Sequence, residues 1–196
     1  MKIYRNKVKK MVKALKTKKK EWYTIHAPKV FNEIEIGETL ADDPNKIIGR
    51  SIYTNISNLI GDFTKDYMKL RLKINEIKDH DAYTIIDSFM LATPYLLRLI
   101  RRRTSKLDIV EKVETKDNKK LVVKTWLITF RKTQAPKRTK LRKFFVTEIK
   151  KIAKENTYDA LILNIITGKI QKDLMNKMKV IYPLRHLEIR NTKLLK

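Results

Sequence analysis

The chain has 196 residues, and its 46 lysines and arginines against 21 aspartates and glutamates leave a formal charge of +25. Self-repulsion on that scale makes a partner-free globular protein a poor fit, since a compact polycation is relieved only when a polyanion neutralises it; at 42% apolar residues a wholly disordered chain is equally poor. The absence of cysteine excludes disulfides and thiolate chemistry, as suits a reducing cytosol.

Residues 1–20 carry ten basic side chains, among them Lys7, Lys9, Lys10, Lys18, Lys19 and Lys20, and no acid. Like charges at that density resist compaction, which predicts a basic arm that orders only on a partner. Val8, Met11, Val12 and Leu15 recur at helical spacing, so a basic amphipathic helix on a membrane or in a groove competes with the plain arm, as does a nuclear-localisation run. No secretory apolar region follows the charges, and LILNII at 161–166 is far short of a membrane span, so a soluble intracellular protein is expected.

From Trp22 onward short alternating runs predict strands at WYTIHA, EIEIGET and RSIYTNIS. The run from Met68 to Ile77 alternates most clearly, with Met68, Leu70, Leu72 and Ile74 on one face and Lys69, Arg71 and Lys73 on the other. AYTIIDSFML at 82–91 follows the turn-prone KDHD, which predicts a hairpin. Thr93 and Pro94 provide a capping hydroxyl and a proline for the first helical position, so PYLLRLIRRR is expected as a short helix ending in cations.

A second hairpin is expected from KLDIVEKVET and LVVKTWLITF around Lys116, Asp117, Asn118 and Lys119. After Pro136 the period becomes 3.6 residues through Leu141, Phe144, Phe145, Ile149 and Ile152; Thr157 is a cap for the next helix, Gly168 a stop, and Ile170, Leu174 and Met178 mark another. Pro183 precedes a last extended run, LRHLEIR. With hairpins and no strand-helix-strand alternation, the fold class is α+β: a mostly antiparallel β-barrel core flanked by several α-helices. The expected domain plan is an arm over 1–20, one domain over 21–190 and a short tail over 191–196.

Three basic clusters lie inside the folded part. Arg98, Arg101, Arg102, Arg103 and Lys106 form the first, and Arg131, Lys132, Lys137, Arg138, Lys140, Arg142 and Lys143 the second; the third contains Lys169, Lys172, Lys177, Lys179, Arg185 and Arg190. A single charge run is usually a solvated face, but three of them plus the arm, without acids interleaved, point to phosphate. Arginine grips phosphate bidentately and stacks on bases, which lysine does not. Trp22, Tyr23 and Trp126 are candidates to stack unpaired bases, against the alternative that they are core or edge residues.

Enzymatic constellations are missing. The three histidines, His26, His80 and His186, are scattered, no phosphate loop occurs, and four glycines leave no material for a dinucleotide loop. Asp42 with Asp43 and Asp79 with Asp81 are the acid pairs a metal nuclease would use, yet both adjoin turn residues where Asp bonds local backbone. No catalytic residue, metal site or cofactor is assigned.

WYTIHAPKVF with IGET, then IIGR, LRLIRRRTSKLDIV, the Thr133-Gln134 pair before a basic helix, and YPLRHLEIR occur in an order that resembles the archaeal and eukaryotic small-subunit ribosomal protein family S-three-a, or e-S-one, from about Lys20 to Arg190. The chain runs only a little past YPLR, which is archaeal-like. The resemblance implies a β-barrel with flanking helices, bound to ribosomal RNA on the small-subunit platform near the messenger exit and the RNA 3′ end. It implies cytoplasmic ribosomes as the location, neighbouring platform proteins as partners with messenger RNA nearby, and no membrane, small-molecule substrate or catalysis. A free RNA-binding chaperone, a peripheral membrane protein using the arm, and a nuclease are the competing classes.

Overall fold

The computed structural model describes residues 19–195; Lys7, Lys9, Lys10 and Lys18 of the expected arm lie outside them. Eight strands join one mixed sheet: β1 (Glu21–His26), β2 (Glu35–Ala41), β3 (Ser51–Asn55), β4 (Met68–Lys78), β5 (Asp81–Leu91), β6 (Lys106–Glu114), β7 (Lys120–Thr129) and β8 (Leu184–Leu194). Among the described residues five α-helices accompany them: α1 (Ile56–Ile60), α2 (Thr93–Leu99), α3 (Ala135–Glu155), α4 (Tyr158–Ile166) and α5 (Lys169–Met178). The alternation read in β4 is realised, with Met68, Leu70, Leu72 and Ile74 all buried.

The expected barrel does not form. β5 is a branch point: β4 pairs along one edge, while the other edge is divided between β1, parallel at Asp81, Ala82 and Tyr83, and β8, antiparallel at Ser88, Phe89 and Met90. β2 extends the sheet from β1, β3 from β4, and β7 then β6 from β8, with no pairing that closes the ring. A barrel buries its inner face against its own opposite wall; here helices provide that second layer. Leu141, Phe145, Ile149 and Ala153 of α3, five buried residues of α4, and Ile170, Leu174 and Met178 of α5 share one core with β4 to β8. A smaller cluster of Tyr23, Ile25, Ala41, Ile47, Ile74 and Ala82 holds β1 and β2.

Four local expectations change with tertiary context. RSIYTNIS stays extended only to Asn55, because Ile56 and Leu59 are both buried one helical turn apart in α1. Thr157 is the cap residue of α4 but its hydroxyl does not cap; instead Oδ2 of Asp117, in the β6–β7 turn, accepts from the Tyr158 N–H at 3.1 Å. Helix α2 starts after Ala92 and stops at Leu99, so Arg101, Arg102 and Arg103 lie in a turn and not at a helical end. Arg103 takes a left-handed φ of 64°, and the Thr104 hydroxyl donates to the Arg101 carbonyl at 2.7 Å, closing the reversal into β6. Strand β8 also continues through Asn191–Leu194, the expected tail, where the edge of β7 pairs it as far as Leu121 opposite Leu194.

Candidate nucleic-acid interface

At one end of the sheet the start of β6, the end of β7 and the start of β8 lie side by side, with Lys106 opposite Ile128 and Ile128 opposite His186. This register brings segments 98–106, 130–143 and 182–186 together. Thr129, fully buried, fixes the junction: its N–H donates to the Ser105 carbonyl at 3.0 Å, its hydroxyl donates to the Arg131 carbonyl at 2.7 Å and accepts from the Ser105 N–H at 3.1 Å. The Thr133 N–H reaches Oγ of Ser105 at 3.1 Å, and the Phe130 N–H reaches the Pro183 carbonyl at 3.2 Å. The cations around this corner therefore stand on a bonded frame.

Arg98, Arg101, Arg102, Arg103, Lys106, Arg131, Lys132, Lys137, Arg138, Lys140, Arg142 and Lys143 are all exposed and Arg185 is half-buried. Among the described residues none of them forms an ion pair. Nζ of Lys137 sits 5.5 Å from the Tyr182 ring centroid, which links the α3 start to the β8 start. His186 is pushed below its ordinary range by burial first, then by the charges of Arg185 and Arg101. Those two arginines, from clusters far apart in the chain, thus act on one imidazole.

Helix α3 divides electrostatically. Its first half carries Lys137, Arg138, Lys140, Arg142 and Lys143 and its first turn has no acid, although exposed N–H groups and the helix dipole already make that end positive. In the second half Lys150 pairs with Glu111 at 2.6 Å, and Glu148 takes Lys177 at 2.6 Å and Lys151 at 3.4 Å. The Glu148 carboxyl is held below its usual range chiefly by the Lys177 hydrogen bond. The cations of the first half are thus unpaired among the described residues, whereas Lys150 and Lys151 of the second half are paired.

The structure does not gather every expected residue here. β1 lies beside the beginning of β5 and β8 beside its end, so exposed Lys19, Lys20 and Trp22 are at the opposite end of the sheet from the Arg101 corner. Of the three stacking candidates only Trp22 is exposed. Tyr23 is buried beside His80, and Trp126 is nearly buried, with Nε1 donating to Asp108 at 3.1 Å and Lys106 lying 4.2 Å over the ring. The third cluster is not free of acids, since Lys177 pairs with Glu148 and Arg190 with Asp108. Phe130, His186 and Tyr182 belong to the corner without having been singled out; Phe130 was readable as an aromatic directly before Arg131 and Lys132.

Three of the four acids of these pairs are engaged by basic side chains, Asp42 and Asp43 locally and Asp81 by a residue far away in the chain. Nζ of Lys46 lies 3.6 Å from both Asp42 and Asp43, and Asp81 accepts from Nε2 of His26 at 3.1 Å. Among the described residues no three metal-ligating side chains converge, and no helix is long and apolar enough to cross a membrane.

Comparison with known proteins places residues 4–196 on the model of the Ribosomal S3Ae family. The chain is 36% identical to small ribosomal subunit protein eS1 of Methanothermobacter thermautotrophicus over 178 residues, covering 91% of each chain. It is 38% identical to the eS1 protein of Sulfolobus acidocaldarius over 92% of each chain, and 32% identical to that of Haloarcula marismortui over 91% of this chain and 84% of the relative.

Proposed function

The chain belongs to the Ribosomal S3Ae family, and from that premise we propose that it is a structural, non-enzymatic component of the small ribosomal subunit in cytoplasmic ribosomes, held there by ribosomal RNA. The observation that carries the RNA contact is the corner where Arg101, Arg131, Lys132, Lys137 and Arg185 converge without carboxylate partners on a hydrogen-bonded frame. Each phosphate seated there releases condensed counterions, so affinity is large, falls steeply with salt and needs no base reading. Phosphate contacts of this kind fix register and orientation, which is the task of a scaffold protein.

Within this reading the first half of α3 and the Arg101–Arg103 turn clamp one RNA segment, while Lys19, Lys20 and Trp22, at the far end of the sheet, meet another. Two separated contacts on a rigid sheet brace RNA helices against each other. The basic arm over residues 1–20 threads between RNA helices, and the site in the subunit is the platform near the messenger exit and the 3′ end of the RNA, beside neighbouring platform proteins and within reach of messenger RNA. The one domain of this reading begins at 21 and takes in β8 to Leu194.

Sucrose-gradient fractionation of native lysate after a high-salt wash, with immunodetection of the chain, tests the assignment. Unit stoichiometry in the small-subunit peak is the expected result. Recovery at the top of the gradient, free of subunits, would make the protein a free RNA chaperone.

A further inference from the structure

We propose that Phe130 is a stacking platform for one unpaired nucleotide held over the basic corner. The inference rests on the RNA-binding reading above and adds to it the kind of RNA that this corner takes.

Phe130 is 62% exposed at the end of β7, although Trp126 and Ile128, on the same side of the strand, are buried. The ring is presented by a fixed backbone. Its N–H is bonded to Pro183, the preceding Thr129 is buried and bonded to both neighbouring loops, and Arg131 and Lys132 follow directly. An aromatic ring left in water forgoes the stabilisation of burial.

Charge identifies what the ring meets. Phe63 is more exposed still, at 86%, but Asp62 and Asp66 flank it, and the one cation beside it, Lys65, is already paired with Asp62 at 3.3 Å. That surface offers a phosphate chain no unpaired cation. Around Phe130 the near charges are Arg131, Lys132 and, across Tyr182, Lys137, and none of them is paired among the described residues. A polyanion with a flat apolar face satisfies both halves of this surface. Paired RNA keeps its base faces covered by their neighbours, so only a looped-out or single-stranded nucleotide offers one.

Fluorescence anisotropy with the full chain separates the possibilities, using a labelled oligouridylate and a perfectly paired RNA duplex of equal phosphate number. Phe130→Ala is expected to weaken oligouridylate binding by about 5- to 150-fold, the range for truncated stacking platforms, with duplex affinity and both salt slopes unchanged. Phe130→Trp is expected to retain or strengthen oligouridylate binding. Since the side chain is exposed, an unchanged melting temperature verifies that Phe130→Ala folds. Equal binding by wild type and Phe130→Ala, or equal losses on both RNAs, overturns stacking; if that variant binds RNA normally yet fails to enter small subunits, the ring faces a protein. Absence of salt-dependent binding by the wild type to either RNA overturns the RNA-binding reading itself.

Discussion

The Tyr158 hydroxyl donates to the Ile86 carbonyl across 3.1 Å, inside the core. Ile86 stands on β5 between the residues paired by β1 and those paired by β8, next to the irregularity where Leu72 faces Ile86 and Arg71 faces Ser88. Dividing one strand edge between two partners leaves backbone groups in between with no ladder, and a buried carbonyl without a donor is expensive. One phenol on α4 fills that gap, and the same residue's N–H takes the Asp117 cap. The branch in the sheet and the helix over it are thus held at a single side chain.

Tyr158→Phe keeps the ring and removes the donor. The expected loss is about 1–3 kcal/mol, the penalty for stranding a buried acceptor, read as a lower urea midpoint with an unchanged slope. Burial already pushes the Tyr158 phenol above its ordinary value, so it stays a donor throughout the usable pH range. The salt dependence of RNA binding should not move. A variant as stable as wild type would mean that the carbonyl finds another partner.

His186 gives the corner a pH signature. Burial, then Arg185 and Arg101, depress its folded value below the ordinary 6.5, so between the two values the unfolded chain binds more protons. Stability is therefore full above 6.5 and is lost as pH falls from there through the folded value. Binding works the other way. Phosphates that neutralise Arg101 and Arg185 remove part of the depression, so RNA binding takes up protons and affinity rises as pH falls below 6.5. Residue-resolved NMR titration with and without RNA checks this; His26, raised chiefly by its Asp81 hydrogen bond, titrates separately. An imidazole unmoved by RNA would place the phosphates away from Arg101 and Arg185.

The elements were legible where one pattern decides them. β4 alternates strictly, α3 to α5 follow the helical period, and Asn118 takes the left-handed φ of 56° that its turn requires. What was not legible depends on register between distant strands. Nothing local to β5 says that its edge is shared, so an antiparallel meander read as a barrel. The Asp117 cap on α4 joins residues that meet only after the hairpin docks. The cationic clusters were readable as clusters, but their convergence needs Ile128 opposite His186. Phe130 was readable as an aromatic before two cations, but not as exposed, since Trp126 to Thr129 are buried on both faces of β7 and exposure begins only where the strand ends.

The unpaired first half of α3 carries the last prediction, a trade between folding and binding. Cations at a helix N-terminus oppose the dipole, and at Lys137, Arg138 and Lys140 no neighbouring acid offsets them among the described residues. Replacing these three with Ser is expected to raise the melting temperature slightly while lowering the slope of log affinity against log salt by roughly 0.7–0.9 for each phosphate the variant no longer neutralises. Arg101, Arg102 and Arg103 lie in a turn beyond α2, so their replacement by Ser should lower the slope without any gain in melting temperature. Lys150→Ser, in the paired half, removes the ion pair with Glu111 and should reduce stability modestly while leaving the slope alone. Calorimetry and RNA titrations at several salt concentrations distinguish the three. If the α3 variant gains stability and keeps its full slope, those lysines and Arg138 face solvent in the complex, and the clamp reduces to the arginine turn and the 131–132 segment.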